Sequence, residues 1–425
     1  MKVMWFSVTP PASGMQAIGR KNSIVGGGWI DSLIQSIPFE DDDIEIWDCF
    51  LVWGINNVMR ADSPVNPKLH YIGIPSATPF LDTASKEMRE NYQMLIEEIN
   101  PDIVHVFGTE TENSNCIVKL AYDTKCLISL TGLVYIYERH FFGGVEKELK
   151  KTMTVRDLLR GSIFYQYRKM KKKAEIELDT LSNAQYVTGR TSWDYASSTQ
   201  INPNLQYYFC NENLRNAFYT VMWSLDTCER HTVFSSSSGA PLKGVHQLLK
   251  ALPIVLKKYP DTVLYVTGDD PRKTTSLKNN IRKTGYQNYL IRLMNELDIN
   301  KAVRFTGVLD EQEMAERCAS SHVYVLPSFI ENSPNSLCEA MLMGVPSVAA
   351  DVGGVADLLT TDVDGLLYPV NEYNMLAYQI MRIFQDDVFA VSLSDRARQR
   401  ALIRHDREKN GKRMKEIYME MLREK

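Results

Sequence analysis

The stretch His322-Val323-Tyr324-Val325-Leu326-Pro327-Ser328-Phe329-Ile330-Glu331-Asn332-Ser333-Pro334-Asn335-Ser336-Leu337-Cys338-Glu339-Ala340-Met341-Leu342-Met343-Gly344-Val345-Pro346 reads as a strand, a polar loop and a short helix. Its apolar start shows no polar alternation, as in a strand buried on both faces of a parallel sheet. Gly344 supplies the residue that ends helices in a left-handed conformation. Open parallel sheets bind ligands at the carboxyl ends of their strands, which is where this loop falls. The helix start at Asn335, Ser336 and Leu337 offers backbone N–H groups and a positive dipole end, a fit for a diphosphate. Glu339, just inside that helix, suits an anion site only if it accepts hydrogen bonds from hydroxyls, as on a ribose. Glu331, in the loop, is placed to accept from sugar hydroxyls. The competing reading is that both are acids at a helix start, where acids are favoured in any case.

Outward from this stretch, short apolar runs alternate with longer amphipathic ones along the whole chain. Strands are predicted at 2–8, 44–52, 69–73, 102–107, 126–131, 185–188 and 205–209, then at 232–235, 262–267, 302–306, 322–326, 346–350 and 366–368. Helices are predicted at about 24–36, 86–98, 113–123, 154–182, 244–258, 286–297, 335–343 and 371–386. This is an α/β pattern of doubly wound parallel sheets. A chain of 425 residues exceeds one ordinary core, so two domains are expected, 1–212 and 213–404. The last residues, from about Ser392, carry dense charge with Met414, Ile417, Tyr418 and Met421 at helical spacing. They predict a helix at about 405–425 that packs back onto the first domain.

The formal net charge of -4 gives no reason for the chain to seek nucleic acid. Seven scattered cysteines without a CxxC pair argue against a disulfide framework or a zinc site and read as cytosolic thiols. The apolar start at Met1–Val8 meets Pro10-Pro11 too soon for a signal-peptide core, and no stretch of ~20 apolar residues follows. The expected location is cytoplasmic, with any membrane contact peripheral, on the inner face of the cell membrane.

The Glu331 to Glu339 spacing is an E-x7-E signature, and here the chain resembles the retaining nucleotide-sugar transferases of glycosyltransferase family four, in its bacterial surface-polysaccharide branch. The likeness extends to Gly344-Val345-Pro346-Ser347-Val348, Gly353-Gly354, Gly26-Gly27-Gly28-Trp29, Asp102 to Glu110, Gly189 to Asp194, Asn202-Pro203-Asn204, Cys210-Asn211-Glu212 and Leu242-Lys243-Gly244. It implies the GT-B fold, two Rossmann-like doubly wound domains facing each other across a cleft. The first would bind the acceptor and the second the nucleotide sugar.

The resemblance assigns Lys243 to the donor diphosphate and Glu331 to the donor sugar, both as catalytic candidates. The donor-binding set is Gly27, Gly28, Lys243, Glu331, Asn335, Ser336, Leu337 and Glu339. Many relatives carry an arginine shortly before the lysine; here Ser235-Ser236-Ser237-Ser238-Gly239-Ala240-Pro241 stands in its place. Arg190 or the amides of the serine-rich loop are the alternatives. Many relatives also carry a histidine where Thr131 falls, and His140, further along the loop, is the acceptor-side catalytic candidate. Thr131, Glu110 and Arg190 are candidate acceptor or sugar contacts. His105, mid-strand among apolar neighbours, reads as a satisfied core residue.

No carboxylate stands out as a nucleophile for double displacement. The mechanism implied is same-face attack, with the leaving diphosphate taking the acceptor proton while Lys243 and the helix start stabilise it. No metal and no cofactor beyond the nucleotide-sugar co-substrate is expected. Asp41-Asp42-Asp43 reads as a solvated turn before a strand.

Residues 147–173 carry Lys150, Lys151, Arg156, Arg160, Arg168, Lys169, Lys171 and Lys172 interleaved with Leu158, Leu159, Ile163, Phe164, Tyr165 and Tyr167. Such a helix suits an anionic membrane, where a lipid-linked acceptor would lie; a solvated helix is the competing reading. The function expected is transfer of a sugar from a UDP- or GDP-sugar to a hydroxyl of a glycan or lipid-linked glycan, in capsular, exopolysaccharide or lipopolysaccharide synthesis. The alternative is a non-catalytic glycan-binding or scaffold protein on the same fold.

Overall fold

The computed structural model describes residues 1–21, 28–39, 44–76, 83–152, 157, 162–236, 239–273 and 283–424. Gly26, Gly27, Asp41-Asp42-Asp43, Arg156, Leu158, Leu159, Arg160, Ser237 and Ser238 lie outside them. The chain forms two compact units: 1–135 with 172–213 and 405–425, and 136–171 with 214–404.

The first unit holds β1 (Lys2–Ser7), β2 (Glu45–Trp53), β3 (Met59–Asp62), β4 (Leu69–Ser76), β5 (Ile103–Phe107), β6 (Lys125–Ser129), β7 (Tyr186–Gly189) and β8 (Gln206–Phe209). They form one sheet in the order β3-β4-β2-β1-β5-β6-β7-β8, parallel throughout except for β3, which runs antiparallel to β4. The order reverses between β1 and β5, the mark of a doubly wound sheet. The central strands are buried along their length, which is why their sequences are continuously apolar.

One face of this sheet is closed by the helices Gly28–Ser36 and Arg407–Arg423, which pack on each other. Met414, Ile417, Tyr418 and Met421 enter a core with Trp5, Phe50 and Phe107. A Cβ at Gly411 would stand 1.9 Å from the carbonyl oxygen of Ser36, so only glycine permits this approach. The Tyr418 hydroxyl accepts from Trp5 Nε1 at 2.9 Å and meets His105 Nδ1 at 2.7 Å; the other ring nitrogen of His105 meets Ser129 Oγ at 2.7 Å. Burial lowers His105 to about 3, so the ring is neutral.

The second unit holds β9 (Glu229–Ser235), β10 (Val263–Val266), β11 (Val303–Phe305), β12 (Ser321–Leu326), β13 (Ser347–Ala350) and β14 (Leu366–Tyr368), all parallel, in the order β11-β10-β9-β12-β13-β14. This is the Rossmann order, with the reversal between β9 and β12. The loops after those two strands therefore leave the sheet side by side.

Residues 136–171, placed by sequence in the first domain, cluster with the second unit. Val145 and Leu149 share its core with Leu248, Leu249 and Tyr289. His246 Nε2 meets the Gly143 carbonyl at 3.0 Å, and Thr152 Oγ1 donates to the Gly285 carbonyl at 2.9 Å. The charged tail from about Ser392 is divided between two helices, Asp387–Arg404 in the second unit and Arg407–Arg423 in the first. The break falls at His405-Asp406, where Asp406 caps the new helix by accepting from Lys409 N at 3.1 Å.

Candidate functional site

In the second unit, β9 ends at Ser235, and after a short loop Pro241–Lys243 makes a single turn of 3-10 helix. Gly244 follows at φ 71°, and a Cβ there would lie 1.8 Å from the carbonyl oxygen of Pro327, beyond the end of β12. Phe329 N donates to Leu242 O at 2.9 Å, and Gln247 Nε2 donates to Pro327 O at 2.8 Å. These bonds stitch the β9 loop to the β12 loop. Their product is an ion pair: Lys243 Nζ stands 2.6 Å from Glu331 Oε1, which also accepts from Ser328 Oγ at 2.7 Å.

A third loop locks Glu331 from behind. Gly354 N donates to its carbonyl at 3.0 Å, and a Cβ at Gly353 (φ 54°) would come within 2.0 Å of the same oxygen. Beside it, Asn332 N donates to the Tyr137 hydroxyl at 3.0 Å, so segment 136–171 reaches the loop directly. Glu331 is therefore buried and tightly held, with a side chain 6 % exposed, whereas Lys243 keeps 38 % of its side chain in solvent.

The helix Asn335–Met343 begins after Pro334 with no side-chain cap, unlike the helices at Lys86, Ser192 and Glu311, which Ser85, Thr191 and Asp310 cap. Leu337 N is not free, as the sequence suggested; it turns back to Pro334 O at 3.0 Å. Asn335 and Ser336 are left to offer their amides. Glu339, one turn on, is buried and bonded side-on by Arg215, with Nε 2.7 Å from Oε1 and Nη2 2.8 Å from Oε2. A cavity of about 360 Å3 opens at the ends of β9, β10 and β11, lined among others by Ser236, Thr267, Gly268, Asp269 and Val308.

Sequence reading thus brings Lys243, Glu331, Asn335, Ser336, Leu337 and Glu339 to adjoining loops of one sheet. It missed Arg215, Tyr137 and Gln247, which no motif marks because their partners lie about 80 to 200 positions away.

Of the remaining candidates, Gly28, Glu110, Thr131 and Arg190 belong to the first unit and His140 to the second. Gly28 opens the helix Gly28–Ser36 of the first unit, and a helix at Ala12–Ala17 separates it from β1. Glu110 and Thr131 flank Gly108 at the carboxyl ends of β5 and β6, each within reach of a Cβ placed there. Arg190, after β7, donates to the carbonyls of Leu130 and Thr131 and pairs with Glu212. Its charge is thus paired within the first unit, as that of Lys243 is within the second. His140 closes a 3-10 turn of the second unit, half-buried; burial and then Arg139 lower its basicity.

In the basic stretch, Phe164 and Tyr167 pack against Phe142 at 5.4 and 4.9 Å, so these aromatics are internal contacts. Tyr165, Arg168, Lys169 and Lys171 are exposed. Among the described residues, no helix is long and apolar enough to cross a membrane.

Two parallel Rossmann-like sheets, with a lysine–glutamate pair at the reversal point of the second, define the GT-B class. Residues 227–400, within the second unit, match the family of Glycosyl transferases group 1. The chain is 27% identical over 177 residues to D-inositol 3-phosphate glycosyltransferase of Corynebacterium urealyticum, covering 42% of this chain and 40% of that one. It is 27% identical over 158 residues to glycogen synthase of Mycobacterium tuberculosis, covering 37% and 35%. The matches thus span about two fifths or less of those relatives. The fold is similar along the whole chain to sucrose-phosphate synthase of Thermosynechococcus elongatus (TM-score 0.69, 17% identity, 99% of both chains). It is similarly close to Anabaena HepE in complex with UDP-glucose (TM-score 0.66, 14% identity, 99% of this chain and 100% of that one).

Proposed function

We propose that the protein is a retaining glycosyltransferase that moves a sugar from a UDP- or GDP-sugar to a hydroxyl of a glycan or lipid-linked glycan in bacterial surface-polysaccharide synthesis. The observation that carries this is the Lys243–Glu331 pair, held at the reversal point of the second sheet beside the uncapped helix start at Asn335. The half-exposed ammonium and the free amides are what a departing diphosphate needs: fixed positive charge that requires no rearrangement as the leaving group gains charge. Glu331, anchored by Ser328, takes the sugar hydroxyls; Glu339 takes the ribose; the cavity beside Gly268 takes the base. The acceptor hydroxyl attacks the anomeric carbon from the face the nucleotide leaves, and its proton passes to the leaving diphosphate oxygen. Lys243 and the Asn335 and Ser336 amides supply the stabilisation that a divalent cation supplies elsewhere, so turnover is metal-independent.

Relatives named for transfer to inositol phosphate and to glycogen support the class of reaction, and HepE with UDP-glucose supports a nucleotide-sugar donor. The exposed Arg168, Lys169 and Lys171 suit an anionic bilayer surface, and the internal packing of Phe164 and Tyr167 makes that contact electrostatic rather than insertive. Thermal-shift and hydrolysis assays against UDP-, GDP- and ADP-sugars, with and without EDTA, test the donor reading. The expected result is stabilisation and slow hydrolysis with one donor, unchanged by EDTA and abolished in Glu331→Ala. Silence with every sugar nucleotide would favour a non-catalytic glycan-binding protein.

A further inference from the structure

Arg215 stands 124 positions before Glu339 in the chain, yet its guanidinium meets the Glu339 carboxylate in two parallel bonds, 2.7 and 2.8 Å. The guanidinium carbon lies over the Phe218 ring, 4.5 Å from its centroid. Phe218 belongs to a core with Leu337, Cys338 and Met341, from the same helix that carries Glu339. At this corner Ala217 N is also fixed, donating to Glu311 Oε1 at 2.8 Å. The pair is thus built from both sides, with Glu339 buried to 5 % side-chain exposure and Arg215 at 36 %.

A buried carboxylate is costly unless paired, and a two-bond arginine contact fixes its plane as well as its charge. Lysine, a point charge on a flexible stem, fixes charge alone. Hydrogen bonds to vicinal hydroxyls such as the 2′ and 3′ positions of a ribose are directional, so the orientation of this carboxylate matters as much as its charge.

We propose that Arg215 is the positioning residue for Glu339 and sets the site's discrimination of ribonucleotides from 2′-deoxyribonucleotides. This rests on the reading of Glu339 as the ribose contact. Arg215 does not touch the nucleotide; it orients the group that does. Losing it frees the Glu339 side chain to turn, so a nucleotide loses the hydroxyl bonds while its phosphate contacts at Lys243 and Asn335 persist. The consequence is loss of selectivity rather than general loss of binding.

The test is calorimetric titration of the full chain with UDP, GDP and ADP, followed by the tightest of these against its 2′-deoxy form. Wild type, Arg215→Ala, Arg215→Lys, Glu339→Ala and the double variant Arg215→Ala/Glu339→Ala are compared, with thermal midpoints for each. Hydrogen bonds to a charged group predict that wild type prefers the ribonucleotide by about tenfold or more. Arg215→Ala should bring that ratio to within about twofold of unity, and Arg215→Lys should fall between, because a lysine keeps the charge without the plane. The double variant should match Glu339→Ala, since Arg215 acts only through Glu339. Should Arg215→Ala be poorly folded, Arg215→Lys decides: full wild-type discrimination in a stable lysine variant overturns the proposal. Discrimination kept in Arg215→Ala but lost in Glu339→Ala overturns it too and leaves the ribose reading standing. Discrimination kept in Glu339→Ala removes the ribose reading and the proposal together.

Discussion

Asp48 pairs along the sheet with Trp5 on one side and Tyr71 on the other, fully buried, and among the described residues neither carboxylate oxygen has a hydrogen-bond partner. Burial, and secondarily the charge of Asp31, raises its carboxyl from 3.8 to about 8. The folded chain therefore keeps a proton that the unfolded chain gives up near pH 4. This site's contribution is intact below that pH and is lost as pH rises through about 8. Asp48→Asn, with no proton to lose, should gain on the order of 5 kcal/mol over wild type at pH 8.5 relative to their difference at pH 4. Urea midpoints at the two pH values measure this; parallel midpoints would mean that Asp48 is not the proton holder. Gly244 is a second sensitive residue. Its positive φ and the Pro327 oxygen leave no room for a methyl group, so Gly244→Ala should cost about 2 kcal/mol or more and weaken nucleotide binding about tenfold by shifting Lys243. Gly19, also at positive φ but with nothing within 4 Å, is the control: Gly19→Ala should leave nucleotide affinity unchanged.

Among elements, the helix Arg407–Arg423 carries the most consequence for its size, because its Tyr418 satisfies both Trp5 and His105. Tyr418→Phe strands a buried indole N–H and a buried imidazole nitrogen, and should lower stability by about 2–4 kcal/mol in chemical denaturation. A loss below 1 kcal/mol would mean that water replaces the hydroxyl. The same helix shows what sequence could and could not disclose. Its burial was legible from Met414, Ile417, Tyr418 and Met421 at helical spacing, and the parallel strands were legible because both faces are buried. The edge strand Met59–Asp62 was missed because it is only four residues long and none of them is buried, so no apolar run marks it. The helix Ser192–Ile201 was missed because Ser, Thr, Asp and Gln are spread around it without an apolar stripe. In the candidate site, the strand–loop–helix stretch itself pointed to Glu331 and Glu339, and the family resemblance pointed to Lys243. Arg215 and Tyr137 were not, since each acts on a residue that only the folded chain brings near.

At the scale of the molecule, the donor contacts proposed for Lys243, Glu331, Asn335, Ser336 and Glu339 all fall in the second unit. A saturating nucleoside diphosphate should therefore slow amide exchange most in the loops after β9, β12 and β13. At 100 times its dissociation constant it should stabilise that unit by about 2.7 kcal/mol. Exchange mass spectrometry resolves the two; protection concentrated in 1–135 would relocate the nucleotide.

The chain passes from one unit to the other four times, at 135/136, 171/172, 213/214 and 404/405. Inheritance by recombination is constrained accordingly. A single crossover near 213 would deliver β9–β14 to a new partner without the Tyr137 hydroxyl that holds Asn332 or the Gly143 carbonyl that receives His246. It would also deliver Arg407–Arg423, a helix shaped to a sheet left behind. Donor halves of this kind cannot be traded as one cassette. A working chimera must carry 136–171 along with 214–404 and leave the last helix with its original sheet, which is two exchanged segments and four junctions for one exchange of specificity.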